Sequence, residues 1–258
     1  MLDLQQVSYA VSKKFLVKMA SMQIFPGEFV VIMGANGAGK STLLKMMSGA
    51  LQPTEGKILF KGKDPKKYKT EELALHRAVL SQHNHISFPM LAYEIVLMGR
   101  YPYFDNKPSQ TDESIVNLAM ETMHISHLSS RDYNTLSGGE AQKVQMSRVL
   151  SQIGETSLKQ TKLLLLDEPV SHLDIKYQHQ LLKEAKSLCQ KNVAVVAVLH
   201  DINLALKYAD NIFFMKDGEI IQSLSKEKPI SAKLLKEVFD VEANIFDMPD
   251  GNGKFVSF

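Results

Sequence analysis

Apolar residues along this chain alternate between two spacings, and each change of spacing marks a new element. From Glu28 to Met33 the residues form a short, β-branched apolar run that predicts a strand. Gly34–Gly39 follows, and then Leu43, Leu44, Met46 and Met47 recur at helical spacing. A turn over Pro53–Gly56 leads into a predicted strand at Lys57–Phe60, and Thr70 is the expected N-cap of the segment Glu71–His76. Between Phe88 and Ile153 the strand signals vanish. There Ile115, Leu118, Ala119, Thr122 and Met123 keep helical spacing behind Thr111 and Asp112, and a second helix follows Ser137.

Strand patterns return at Lys162–Leu166 and Val193–Leu199, nearly continuous apolar runs of the kind buried on both faces of a parallel sheet. Between them Leu181, Leu182, Ala185, Leu188 and Cys189 form one helical stripe, which completes a β-α-β unit. Ile212–Met215 and Glu219–Ile221 flank Asp217-Gly218, a hairpin signal, and the tail after Lys226 offers one helix, Ser231–Val238, and a Gly-rich turn. There is no internal repeat or low-complexity linker. The pattern describes one domain over 1–258: an α/β core at 1–86 and 154–225, an inserted helical subdomain at 87–153, and a short appendage at 226–258.

Composition narrows the partners. Of 258 residues, 45% are hydrophobic and 22% charged, and 30 Lys+Arg against 28 Asp+Glu leave a net charge of +2. Such a balance argues against a nucleic-acid partner held by a broad basic surface. The single cysteine, Cys189, has no partner for an internal disulfide, which fits a reducing compartment. The longest apolar runs fall far below the ~20 residues a membrane-crossing helix needs. The start, MLDLQQVSYA, lacks the basic and apolar stretches of a secretory signal, so a cytoplasmic protein is expected.

The candidate chemistry begins at Gly34-Ala35-Asn36-Gly37-Ala38-Gly39-Lys40-Ser41, followed by Thr42. It matches the phosphate-binding pattern G-x-x-x-x-G-K-[ST] between a strand and a helix, where the mechanism requires it. Glycines let backbone N–H groups close around phosphate oxygens, the helix N-terminus adds partial positive charge, Lys40 reaches the β/γ-phosphates, and Ser41 ligates Mg²⁺. Farther on, Leu163–Leu166 is an apolar strand that ends abruptly in Asp167 and Glu168, at the strand edge where doubly wound sheets bind ligands. The pair divides the work: Asp167 holds Mg²⁺ and Glu168 acts on the attacking water.

A third element, Leu136-Ser137-Gly138-Gly139-Glu140, lies inside the helical insertion. Ser137-x-x-Glu140 is a capping box, and exposed Gly138 and Gly139 amides at a helix start can bind an anion. Together with GANGAGKS, LLLLDEP and the isolated His200, it resembles, in order and spacing over nearly the whole chain, the nucleotide-binding subunit of ATP-binding cassette (ABC) transporters. That resemblance implies an ABC ATPase fold, a RecA-like mixed sheet with helices on both faces and an α-helical subdomain inserted. It also implies ATP and Mg²⁺ as ligands and a head-to-tail homodimer in which the signature helix of one copy faces the γ-phosphate held by the other. By the same resemblance, two transmembrane permease subunits and, indirectly, a periplasmic substrate-binding protein are expected to complete the assembly, at the cytoplasmic face of the inner membrane.

Further roles follow from the resemblance. Gln82 matches the Q-loop glutamine that touches Mg²⁺ or water, and His200 matches the switch histidine that contacts the γ-phosphate. Asp174 matches the dimer-contacting D-loop and is also a candidate N-cap for the Ile175 helix. Tyr9, with Phe15 behind it, is the nearest candidate to stack on adenine. Where the family usually has Gln then Arg after the signature, this chain has Gln142-Lys143, and Lys keeps the charge without the planar fork. The segment Met98-Gly99-Arg100-Tyr101-Pro102-Tyr103 is similar to one in importers of iron-siderophores, haem and cobalamin. Ser147–Gln152 and Val195–Leu204 look most like haemin-uptake ATPases. A soluble ABC ATPase acting on ribosomes or DNA would be marked by tandem cassettes or a coiled-coil insertion, and the chain has neither.

Overall fold

The computed structural model describes residues 1–82, 86–154, 160–248 and 253–258. In chain order the first half holds β1 (Leu2–Val11), β2 (Lys14–Ile24), β3 (Phe29–Gly34), α1 (Lys40–Met47), β4 (Glu55–Phe60), α2 (Thr70–His76) and β5 (Arg77–Leu80). Three α-helices then follow without a strand: α3 (Ala92–Leu97), α4 (Gln110–Thr122) and α5 (Gly138–Ile153). The second half returns to alternation with β6 (Lys162–Asp167), α6 (Ile175–Cys189), β7 (Val193–Val198), α7 (Ile202–Tyr208), β8 (Asn211–Lys216) and β9 (Glu219–Ser225). It closes with α8 (Ala232–Phe239), β10 (Asn244–Asp247) and β11 (Lys254–Ser257).

The central sheet runs β5-β6-β7-β3-β8-β9, parallel except for β9, which joins β8 through the Asp217-Gly218 hairpin. Every residue of β3, β6 and β7 is buried. Their side chains divide by the period of two between the sheet's faces. Val30, Ile32, Leu163, Leu165, Ala194, Val196 and Val198 pack with α1 and the antiparallel sheet β2-β1-β4. Phe29, Val31, Leu164, Leu166, Val193, Val195 and Ala197 pack with α6 and the inserted helices. The mixed sheet with helices on both faces is the fold the sequence predicted.

The inserted helices are joined by a buried ion pair. Arg100 Nε lies 2.9 Å from Asp112 Oδ1, Arg100 Nη1 donates to Ser151 O at 2.9 Å, and the guanidinium covers the Tyr103 ring at 3.7 Å. Gly99 makes this approach possible, because a Cβ there would fall 2.2 Å from Arg148 O on α5.

Some local expectations shift. The α2 helix starts at Thr70 itself, with Lys69 at the N-cap position. Entry into α4 is set by Ser109, whose hydroxyl accepts from Asp112 N while Asp112 accepts from Ser109 N, so Asp112 is a capping partner inside the helix. The N-terminal hairpin β1–β2 and the short β5 were not expected. The Gly-rich turn near the C-terminus falls on 249–252, outside the described residues. No helix among the described residues is long and apolar enough to cross a membrane.

Candidate active site

The C-terminal ends of β3, β5, β6 and β7 lie side by side, so the segments that leave them converge on one edge of the sheet, where open α/β sheets bind ligands. A cavity of about 620 Å³ opens there, lined by Leu16, Asn36, Gly37, Gly39, Lys40, Ser41, Thr42, Gln82, Glu168 and His200. Sequence positions far apart are neighbours because the strands carrying them pair.

Two glycines of the loop after β3 are required by shape. At Gly39 φ is +97°, and a Cβ would fall 2.2 Å from the carbonyl oxygen of Leu16. At Gly34 a Cβ would fall 2.2 Å from Met215 O. The loop is thus wedged between β2 and β8. Ala38 packs into the core, whereas Gly34 and Ala35 give their carbonyls to Lys40, whose Nζ donates to both at 2.9 Å. Burial lowers the Lys40 pKa, and the nearby Glu168 and Asp167 carboxylates oppose that shift.

Ser41 Oγ donates to Asp167 Oδ1 at 3.0 Å. Asp167 ends β6 buried, and burial raises its pKa, partly offset by the Ser41 hydrogen bond. A hydroxyl and a carboxylate beside a phosphate loop are hard oxygen donors, a set that suits Mg²⁺. The next residue, Glu168, has φ of +51°, a left-handed conformation that costs a non-glycine residue roughly 1–3 kcal/mol. Glu168 lines the cavity, where its Oε1 lies 2.8 Å from His200 Nε2 and its Oε2 accepts from Gln82 Nε2 at 2.8 Å.

The signature residues lie elsewhere. Ser137 caps α5, its hydroxyl accepting from Glu140 N at 3.3 Å, while Glu140 Oε2 accepts from Ser137 N at 2.8 Å. The bonds that Ser137 N and Ser137 Oγ donate to its carboxylate lower the Glu140 pKa. Gly138 is exposed and Gly139 half-buried, and a Cβ at Gly139 would fall 3.2 Å from His172 O. Asp174 Oδ1 accepts from Tyr177 N at 3.0 Å, so it does cap α6. None of Ser137, Gly138, Gly139, Glu140 and Asp174 lines the phosphate-loop cavity, and neither does Tyr9, which is half-buried on β1 against the core.

Several contributors were not legible beforehand. Leu16 lines the cavity from β2. Gln142 Nε2 donates to Pro169 O at 2.8 Å and the Lys143 ammonium sits 2.9 Å from the Tyr177 ring centroid, so the signature helix is fastened to the stretch after Glu168. Lys143 thus has a defined contact without the Arg fork. Arg148, on the same helix, donates to Val79 O at 3.2 Å and so ties α5 to the strand that precedes Gln82. Gln142, Lys143 and Arg148 stand out in the sequence only by resemblance, and nothing in their spacing reveals these contacts.

Residues 17–171 match the family described as ABC transporter. The chain belongs to the family of ABC transporter ATP-binding domains. It is an ATPase whose turnover is coupled to transport. Among its relatives is the hemin import ATP-binding protein HmuV of Methylobacillus flagellatus, 38% identical over 258 residues, covering 100% of this chain and 96% of the relative. HmuV of Gloeobacter violaceus is 40% identical over 221 residues, covering 86% and 80%. Among solved structures, a dimeric bacterial ABC transporter cassette, MJ0796, is 26% identical with a TM-score of 0.77, covering 88% of this chain and 100% of that one. The same cassette in a post-hydrolysis state bound to ADP and Pi gives a TM-score of 0.76 at 26% identity, with the same coverage. The family's members bind ATP and ADP.

Proposed function

We propose that this chain is the ATP-hydrolysing subunit of an importer for haem, working as a homodimer on the cytoplasmic side of a two-subunit permease. The observation that carries the hydrolytic reading is the Gln82–Glu168–His200 constellation beside the phosphate loop. Haem as cargo is supported by the HmuV relatives, which match nearly end to end.

The backbone amides of Asn36–Gly39, the N-terminus of α1 and Lys40 hold the β- and γ-phosphates by electrostatics. Ser41, Gln82 and Asp167 would hold Mg²⁺, which would supply positive charge against the negative charge that develops on the phosphate oxygens. Glu168 accepts a proton from the attacking water, and His200 and Lys40 stabilise charge on the γ-phosphate oxygens. Ser137, the Gly138 and Gly139 amides and Asp174 act on the nucleotide held by the second copy. The separation of these residues from their own cavity supports that arrangement. ATP thereby bridges two chains, closure follows binding, and hydrolysis releases it. The bonds from α5 to Val79 and Pro169 link the helical subdomain to both sides of the cavity.

Cargo is tested by reconstituting the chain with its cognate permease and measuring ATP-dependent uptake into proteoliposomes. Haem uptake that exceeds ferric-siderophore and cobalamin uptake is the expected result. Preference for either of the others would reassign the cargo and leave the hydrolytic reading intact.

A further inference from the structure

Three residues beyond His200 the chain is fastened to a part of the molecule the reaction does not otherwise use. Asp201 caps α7, its Oδ1 accepting from Asn203 N at 2.7 Å and Leu204 N at 3.1 Å. The carboxamide of Asn203, in the first turn of α7, pairs twice with one residue of β11. Its Nδ2 donates to Val256 O at 3.0 Å, and Val256 N donates to its Oδ1 at 2.9 Å. The side chain thus imitates a strand peptide along the edge of β11 opposite β10, which pairs with β11 at Ile245↔Val256. Val256 is buried in the main core and Ile245 packs against it, so the hairpin is anchored.

His200 is itself restrained unequally. The sheet fixes its N-terminal side, where β7 ends at Val198 and Leu199 N donates to Ile32 O at 3.3 Å. On its C-terminal side the chain passes through Asp201 directly into α7. The apolar contacts of Ile202, Leu204 and Ala205 keep that helix on the core, and Tyr208 OH, donating to His179 O at 3.2 Å, holds its far end on α6. The two-point Asn203–Val256 pairing is the directional contact to another element at the end next to His200, and it sets the first turn of α7.

We infer that Asn203 is a positioning residue for His200, with the C-terminal hairpin β10–β11 as its brace. Turnover then depends on the Asn203–Val256 pairing although neither residue lines the cavity. The inference rests on the hydrolytic role of His200 proposed above. It also gives the C-terminal appendage a task in the catalytic cycle: whatever moves the hairpin moves the switch position.

The test uses the full-length chain with Asn203→Asp, which keeps the acceptor for Val256 N but sets a second oxygen against Val256 O, and Asn203→Ala, which removes both bonds. The expected result is a kcat about tenfold lower with KM for ATP unchanged, since small displacements of a reacting group cost one to two orders of magnitude. In ¹³C-histidine NMR spectra the His200 ring resonance shifts while those of His124 and His127, next to α4 in the insertion, stay in place. Should Asn203→Ala fail to fold, Asn203→Asp carries the test. An unmoved His200 resonance with wild-type kcat overturns the inference. So does a fall in kcat matched by equal losses of ATP affinity and melting temperature, which would make Asn203 a merely structural residue. His200→Ala separates the two readings: full turnover in that variant refutes the hydrolytic role, whereas the NMR response to Asn203→Asp reports on the brace alone.

Discussion

His200 Nε2 lies 2.8 Å from Oε1 of Glu168, and the other oxygen of the same carboxylate accepts from Gln82 at 2.8 Å. A carboxylate held at both oxygens on a strained backbone is aimed rather than free to rotate. Changing Glu168→Gln keeps the size and the capacity to bond Gln82 but removes the proton acceptor. Phosphate release is expected to fall about a thousandfold, within the range for loss of a general base, while equilibrium binding of ATP persists. Turnover near the wild-type rate would remove Glu168 from the role.

The approach of Gly39 to Leu16 makes the phosphate loop intolerant of a side chain. Gly39→Ala would place a Cβ 2.2 Å from a carbonyl oxygen at a φ of +97°. The loop must move, and ATP affinity is expected to fall at least tenfold. Isothermal titration measures the affinity, and circular dichroism checks that the fold persists with a loss of about 1–3 kcal/mol, the usual cost of such backbone strain.

The pair Arg100–Asp112 is buried on both sides, with side-chain exposures of 7% and 6%. Arg100→Leu leaves Asp112 without its cation and costs roughly 3–5 kcal/mol of stability. Pairing it with Asp112→Leu recovers a large part, because two apolar groups replace two charges. Urea denaturation of the four members of this cycle measures the coupling.

Lys162 begins β6 buried, its ammonium donating to Ile153 O and, at 3.0 Å, to Tyr103 OH. Burial, with Arg100 and Lys61 nearby, brings its pKa down from 10.5 to about 8. Between these values the unfolded chain keeps a proton that the folded chain has lost, so stability attributable to this group rises with pH over that window and is flat below it. The stability difference between the wild type and Lys162→Met, followed from pH 7 to 10, is expected to move in the wild type's favour above pH 8. A flat difference would contradict the assignment.

The continuous apolar runs at β3, β6 and β7 were legible because strands buried on both faces have no alternation to lose, and the phosphate loop because backbone geometry restricts which residues can form it. The β1–β2 hairpin was not. Its register shifts between Leu4 and Val7 and again around Tyr9, so the period of two is broken where a strand would be recognised. The β5 strand has four residues, too few to establish a period. Gln82, Glu168 and His200 were each named from the chain, but their meeting is a product of strand order, since β5, β6 and β7 are neighbours in the sheet. The Asn203–Val256 pairing joins residues with no pattern between them, and only the folded chain reveals it.

The account centres on a nucleotide shared between two chains, with Ser137–Glu140 of one completing the cavity of the other. ATPase rate measured against protein concentration, with ATP saturating and dimerisation followed in parallel by sedimentation, tests this most directly. The rate is predicted to grow with the square of concentration while monomers dominate, and Ser137→Arg to abolish it without affecting ATP binding to the monomer. A rate strictly proportional to concentration down to wholly monomeric protein would contradict the account.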